Sequence, residues 1–161
     1  MKTQISYHIP GGEQHRATVI VRDQHEKIQA RWANGLFYET QRHGMLNTVY
    51  KRFRGGTFID IGAAYGNHSL FFAACCEAER VYAFEPVETL FAHLQENIAA
   101  NGFTHIHAYN TALGAHTGRV GMTPSNANPK RGGALMSRVD ERGDSVPMQR
   151  LDDLLQHENL T

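Results

Sequence analysis

Two acidic residues, Asp60 and Glu85, are the strongest candidates in this sequence for binding a ligand. Asp60 opens the segment DIGAAYG, with glycines at 62 and 66, and Glu85 follows Gly62 by 23 residues. Small residues at 62–64 let a ligand approach the backbone, and a helix starting after the turn points free N–H groups at that ligand. The third glycine of the dinucleotide fingerprint is missing, so the turn suits a ligand without a pyrophosphate.

The hydrophobic pattern predicts the strands and helices that carry Asp60 and Glu85. The pattern predicts strands at 57–61, 80–85 and 104–109, with helices at 67–76 and from Pro86 to Asn101. Strands that alternate with helices at this spacing form right-handed crossovers. We therefore predict an α/β fold of the Rossmann-like type, with a parallel sheet flanked by helices.

Glu85 is predicted to end the second strand. Carboxylates at this position accept hydrogen bonds from ribose hydroxyls, because ligands lie across the carboxyl ends of parallel strands. Asp60 adds a second negative charge, so the pair favours a cationic nucleoside such as S-adenosylmethionine. A plain strand-to-helix connection is the alternative interpretation of the glycine turn.

The regions outside this core give weaker patterns. Residues 17–22 and 27–32 are β-prone and predict a hairpin, and apolar spacing between 37 and 53 predicts a helix. We divide the chain into an N-terminal extension, residues 1–54, and a binding domain, residues 55–161. Four further features are predicted after Thr111: a short strand at 119–122, a loop at 123–133, an edge strand at 146–150 and a helical turn at 151–155.

Composition excludes several classes of protein. The 161 residues fit one compact domain, and 16 basic residues balance 16 acidic ones, so no global basic field exists to hold a nucleic acid. The longest apolar run, residues 70–76, is far shorter than the ~20 residues that cross a bilayer. The N-terminus lacks the continuous apolar stretch of a secretory signal, so we expect a soluble, cytoplasmic protein. Cys75 and Cys76 are adjacent and are expected to be buried free thiols.

Five blocks of this sequence together resemble the FkbM-type S-adenosylmethionine-dependent methyltransferases. The blocks are DIGAAYGNHSLFFA (60–73), VYAFEP (81–86), LQENIAANG (94–102), NTALG (110–114) and VPMQRLDDLL (146–155). The resemblance covers roughly residues 55–155. It implies a Rossmann-like methyltransferase fold and transfer of a methyl group, commonly to a hydroxyl oxygen of a sugar, polyketide or other small metabolite.

The resemblance also implies roles for individual residues. It implies that the methionine portion of the cofactor lies against Asp60, Gly62, Ala63 and Gly66, that Glu85 holds the ribose, and that the adenine lies near Asn110, Thr111 and Ala112. Asn67 and His68 match a GNH triplet that is frequent in the family, and either is a candidate to line the methyl-transfer cleft. His68 is the candidate catalytic base, with a capping or structural role as the alternative. Ala64 replaces an Asn often found there.

A second departure from the family lies at the C-terminus. Family members continue past the LDDLL-like segment into a strand with a Lys-Ile-Asp-x-Glu-Gly-like block and then further strands, whereas this sequence stops at Thr161. We therefore expect a truncated chain, or an oligomer or partner that covers the unpaired edge of the sheet.

Two other interpretations of the sequence stay open. A truncated or degenerate relative would bind the nucleoside without catalysis. An RNA methyltransferase would use a local basic patch made of Lys51, Arg52, Arg54, Lys130 and Arg131. No metal site is expected, because His105 and His107 alternate along a predicted strand and His93 lacks a clear partner.

Overall fold

A computed structural model describes residues 1–8, 12–41, 43–123, 138–139 and 144–157. The loop predicted at 123–133 lies outside these residues except for Thr123. The described elements, in chain order, are β1 (Lys2–His8), β2 (Gln14–Ile20), α1 (Lys27–Ala33), α2 (Met45–Arg52), β3 (Thr57–Ile61), α3 (Asn67–Cys75), β4 (Arg80–Phe84), α4 (Glu88–Asn101), β5 (Ile106–Tyr109), β6 (Ala112–Leu113), β7 (Gly118–Thr123), β8 (Arg138–Val139), β9 (Asp144–Gln149) and α5 (Leu151–His157).

Residues 57–109, here called the parallel unit, have the predicted α/β architecture. Strands β3, β4 and β5 pair in parallel in that order, with Ile59 opposite Tyr82 and Tyr82 opposite His107. Helices α3 and α4 connect them. The prediction of a Rossmann-like fold with a parallel sheet is confirmed, although the third strand begins at Ile106 rather than at residue 104.

The N-terminal hairpin exists, and its first predicted strand, 17–22, overlaps β2, but the prediction of a second strand at 27–32 was wrong. Strand β2 pairs antiparallel with β1, while residues 27–33 form helix α1. The Glu26 carboxylate caps that helix by accepting hydrogen bonds from the N–H groups of Ile28 and Gln29. Ile28 and Trp32 are four residues apart, a spacing that places them on one face of a helix. The pattern of this short segment is therefore compatible with a helix as well as with a strand.

Two further elements differ from prediction. Helix α2 covers only Met45–Arg52 of the predicted 37–53, because Gly44 precedes it as an extended residue. Strand β9 was expected at an edge because it contains Pro147, yet it lies between β6 and β7 in a separate four-stranded sheet. Its pairing with β6 is confined to Met148 and Gln149, so the missing N–H of Pro147 falls outside that ladder.

One hydrophobic core joins the hairpin to the parallel unit. Ile5 and Val19 from the hairpin and Trp32 from α1 pack in the same cluster as Leu70 and Leu94 from α3 and α4. The division at residue 54 stays a prediction, but the core is continuous across it. Among the described residues, β3 pairs with β4 alone, and Ile59, Ile61 and the nearby Phe53 are exposed.

Within the described part of the chain, no helix combines the length and apolar character needed to cross a bilayer. Cys75 and Cys76 are buried free thiols, as predicted. Burial raises the pKa of Cys75, and it raises the pKa of Cys76 to about 11, so neither is a reactive thiolate near neutral pH.

Candidate functional site

The glycine turn after β3 is tied to the end of β4 by backbone hydrogen bonds. The N–H groups of Gly62 and Ala63 both donate to the carbonyl of Phe84, at 2.9 and 3.0 Å. The next N–H, that of Ala64, donates to the Oε2 atom of Glu85 at 2.8 Å. The turn and the carboxyl end of the second parallel strand are therefore one hydrogen-bonded unit.

Glu85 lies where the sequence predicted, at the carboxyl end of β4 and facing the turn. It is 3% exposed, and its other oxygen, Oε1, accepts from the N–H of Val87 at 2.8 Å. Burial raises the pKa of Glu85, while the hydrogen bonds from Val87 and Ala64 partly oppose that change. Each carboxylate oxygen keeps a second lone pair, so Glu85 retains acceptor capacity for a ligand hydroxyl.

The turn leaves space beside Gly62. This residue has φ +80° and is solvent-exposed, and a Cβ placed on it would meet no atom within 4 Å. Ala64 adopts φ +50°, a conformation that costs a non-glycine residue roughly 1–2 kcal/mol. The loop is thus held in a compact shape that keeps the backbone at Gly62 open to an approaching molecule.

Asp60, the residue before the last in β3, carries a buried carboxylate. Its Oδ2 atom accepts hydrogen bonds from the backbone N–H and the hydroxyl of Ser69, at 2.9 and 2.5 Å. Its Oδ1 atom lies 3.9 Å from Nδ1 of His68. The other ring nitrogen of His68, Nε2, lies 3.2 Å from the Glu39 carboxylate. Two carboxylates therefore flank the imidazole at the start of α3.

Asn67 is 3% exposed, and its amide is bonded within the protein. Its oxygen accepts from the indole N–H of Trp32 and from the N–H of Tyr38, at 3.1 and 3.0 Å. Its nitrogen donates to the carbonyl of Tyr38. These bonds join the start of α3 to residues 32–38, which is a structural role, and the predicted cofactor contact of Asn67 stays untested.

Three predicted adenine-site residues follow β5. The Asn110 amide donates to the carbonyls of Glu85 and Pro86, at 2.9 and 3.2 Å, so it links the ends of β4 and β5. Thr111 is buried and its hydroxyl bonds the carbonyl of Pro147, while Ala112 pairs with Met148 in β9. Asn110 therefore lies at the site beside Glu85, whereas the bonds of Thr111 and Ala112 run to the second sheet.

The predicted strand histidines and His93 each have a separate neighbour in the described part of the chain. His107 stacks on Tyr82, and His105 packs against Phe103. His93 is buried and bonds the carbonyl of Ile20, which supplies the partner that sequence reasoning missed. Among the described residues, no group of three or more His, Cys, Asp or Glu side chains could hold a metal ion.

The basic residues offered as an RNA patch are only partly described. Lys130 and Arg131 lie outside the described residues. Lys51 and Arg52 are exposed at the end of α2, while Arg54 bonds the Glu77 carboxylate and the Tyr50 hydroxyl. The charge of Arg54 is therefore offset by Glu77.

Sequence reasoning missed Ser69 and Glu39. Ser69 follows Asp60 by nine residues. A strand-turn-helix connection of this length brings the first helical turn back to the end of the strand, so the contact between Ser69 and Asp60 could have been predicted. Glu39 lies in a loop 29 residues before His68. No periodicity marks it.

Comparisons with known proteins give one family match. A family model described as the methyltransferase FkbM domain matches residues 60–161. No curated protein matches the chain.

Solved structures give matches of low identity. The methyltransferase FkbM of Methylobacillus flagellatus is 19% identical with a TM-score of 0.44, and the match covers 64% of this chain and 24% of that one. M. jannaschii TYW2, solved with AdoMet, is 15% identical with a TM-score of 0.39, over 72% of this chain and 52% of that one. P. horikoshii TYW2, solved with MeSAdo, is 24% identical with a TM-score of 0.37, over 44% of this chain and 32% of that one. This chain thus spans about a quarter to about half the length of these proteins.

Proposed function

This chain belongs to the FkbM methyltransferase family, and on that premise we propose that it binds S-adenosylmethionine and takes part in methyl transfer to a hydroxyl oxygen. The proposed acceptor is a small molecule or a saccharide, the class that the family resemblance implies. The observation that carries the proposal is the buried Glu85 carboxylate, bonded to the Ala64 N–H at the carboxyl ends of the parallel strands.

The residues present fit this ligand. The two oxygens of Glu85 sit at 2.8 Å from backbone N–H groups and keep acceptor capacity for the two hydroxyls of a ribose. Gly62 leaves open space for close approach to the backbone. Asp60 and Glu85 are acidic, which suits a ligand with an ammonium and a sulfonium group. Asn110 holds the carbonyl of Glu85 and so steadies the same strand end.

S-adenosylmethionine supplies a methyl group bound to a positively charged sulfur. A nucleophilic oxygen attacks the methyl carbon from the side opposite the sulfur, and the sulfur leaves. The contribution of the chain is then to hold the acceptor oxygen close to that methyl carbon, an effect worth several kcal/mol in oriented reactions. The acceptor hydroxyl also loses a proton. His68, at the start of α3 beside the turn, is the proposed base for that proton.

Isothermal calorimetry with S-adenosylmethionine tests the proposal, with Glu85→Ala as the decisive variant. The variant removes the proposed ribose acceptor, so we expect affinity to fall at least tenfold, about 1.4 kcal/mol. Glu79→Ala is the matched control, because Glu79 is an exposed carboxylate just before β4, at the opposite end of the strand. Its affinity should stay within about twofold of the parent chain.

Two results would contradict the proposal. The first is the absence of binding by the folded parent chain, and the second is equal affinity in the parent chain and in Glu85→Ala. Far-UV circular dichroism of each variant separates loss of binding from loss of fold. Transfer of a labelled methyl group to a hydroxyl compound would then exclude a chain that binds the nucleoside without chemistry.

A further inference from the structure

Glu39 adopts a backbone conformation that non-glycine residues rarely take, and it does so next to the proposed site. Its φ is +62°. Such conformations are unfavourable for a residue with a side chain and persist only where the surrounding structure holds them. The structure shows two features that hold Glu39 there.

The first feature is Asn67. The Asn67 amide accepts from the N–H of Tyr38 and donates to its carbonyl, so it binds both backbone groups of the residue just before Glu39. Asn67 itself directly precedes His68. This amide therefore sets the distance between Glu39 and His68.

The second feature is Gly44. A Cβ at residue 44 would lie 2.1 Å from the carbonyl oxygen of Glu39, so only glycine fits against that backbone. The same carbonyl accepts the N–H of Leu46 at 3.2 Å, in the first turn of α2. The backbone of Glu39 is thus fixed from both sides.

The result of this placement is a hydrogen bond between the Glu39 carboxylate and Nε2 of His68, at 3.2 Å. An ionised carboxylate can only accept, so the contact favours the tautomer that carries its proton on Nε2. Nδ1 is then the nitrogen free to take a proton. It lies 3.9 Å from Oδ1 of Asp60. In this tautomer both atoms are acceptors and cannot bond each other, so a donor such as a hydroxyl is the group that would satisfy Nδ1.

We propose that Glu39 is a positioning residue for the proposed methyl transfer. Its carboxylate holds His68 as the Nε2–H tautomer and so directs Nδ1 toward the acceptor hydroxyl. In that step the hydroxyl proton passes to Nδ1 and the hydroxyl oxygen bonds the methyl carbon. The sulfur–carbon bond breaks, and its electron pair stays on sulfur. This inference rests on the proposed function, and it adds Glu39 to the residues that take part in the proposed methyl transfer.

Nitrogen NMR of ¹⁵N-histidine-labelled chain tests this inference, with the His68 signals assigned by loss in His68→Gln. The spectra are recorded at about pH 8.5, above the ordinary range of imidazole protonation. In the parent chain we expect one tautomer, with a protonated Nε2 and an unprotonated Nδ1. Glu39→Ala should lose that single tautomer and give an exchanging mixture. Glu39→Gln keeps an acceptor oxygen and should restore the parent pattern.

Glu77→Ala is the matched control, because Glu77 is also a glutamate at positive φ, +53°, and its carboxylate bonds Arg54 instead. It carries the same backbone strain and should leave the His68 signals unchanged. A His68 pattern that Glu39→Ala does not alter would overturn the inference, as would a parent chain with the proton on Nδ1.

Calorimetry on the same samples separates this inference from the proposed function. Glu39→Ala is expected to bind S-adenosylmethionine, because the carboxylate acts through His68 rather than on the ribose. A parent chain that shows the single tautomer but binds no S-adenosylmethionine would reduce the Glu39–His68 pair to a structural contact and would overturn its role in methyl transfer. Normal binding with an unaltered His68 pattern in Glu39→Ala would leave the proposed function standing and remove Glu39 from it.

Discussion

The N-terminal hairpin and the parallel unit are held in place by different kinds of contact. In the parallel unit, backbone groups at neighbouring strand ends bond one another and the carboxylates beside them. The hairpin instead meets α4 through side chains: His93, Asn97 and Asn101, spaced four residues apart on one helix face, bond the backbone of Thr18 and Ile20 in β2. The open edge of β2 is therefore satisfied by a helix rather than by another strand.

This difference predicts that the largest loss of stability comes from the helix–hairpin contact. Asn97 is fully buried, and it accepts from the N–H of Ile20 at 2.8 Å while donating to the carbonyl of Tyr65 at 2.9 Å. Asn97→Ala removes the side-chain partner of both partly buried backbone groups, so we expect the free energy of unfolding in urea to fall by about 2–4 kcal/mol.

Gln95→Ala is the control for that measurement, because Gln95 is exposed on the same helix. It should change stability by less than about 0.5 kcal/mol. If Asn97→Ala were equally mild, the hairpin would be held by its apolar packing alone, and the proposed contrast between the two regions would be lost.

A second variant probes the parallel unit. Ser69 is fully buried and its hydroxyl donates to the Asp60 carboxylate at 2.5 Å, while its backbone N–H donates to the same oxygen. Ser69→Ala removes one of these two charge-assisted bonds, so the free energy of unfolding should fall by about 1.5–3 kcal/mol. Chemical denaturation measures it, with Thr89→Ala, an exposed hydroxyl in the first turn of α4, as the control. A loss no larger than that of Thr89→Ala would show that the backbone N–H alone suffices for Asp60.

The same contrast explains what the sequence could predict. Residues 57–61 and Glu85 were placed correctly because strand length, the glycine turn and the order of elements are local patterns, and parallel strands bring their ends together by topology. Strand β1 and the helical state of Lys27–Ala33 were missed, since both depend on packing between distant segments. Glu39 and the helix face that carries Asn97 were missed for the same reason. Their partners lie 29 and 77 residues away.

The buried His93 makes the stability of the helix–hairpin contact depend on pH. Burial lowers the pKa of His93, an effect that the hydrogen bond to the Ile20 carbonyl partly opposes and that Arg22 reinforces, with Glu96 acting the other way. The unfolded chain therefore binds the proton at a pH where the folded chain does not, and stability falls as the pH drops below about 6.5. Urea unfolding from pH 7.5 to 5.5 should show this loss in the parent chain.

His93→Gln removes the titrating group and keeps a donor for the Ile20 carbonyl, so the dependence of stability on pH should become shallower. His25→Gln, at an exposed histidine before α1, serves as the control and should leave the slope as it is in the parent chain. Equal slopes in the parent chain and in His93→Gln would mean that His93 is hydrated or protonated in the folded protein. In that case the ring would not be a buried neutral donor, and the bonds to β2 that matter would be those of Asn97 and Asn101 alone.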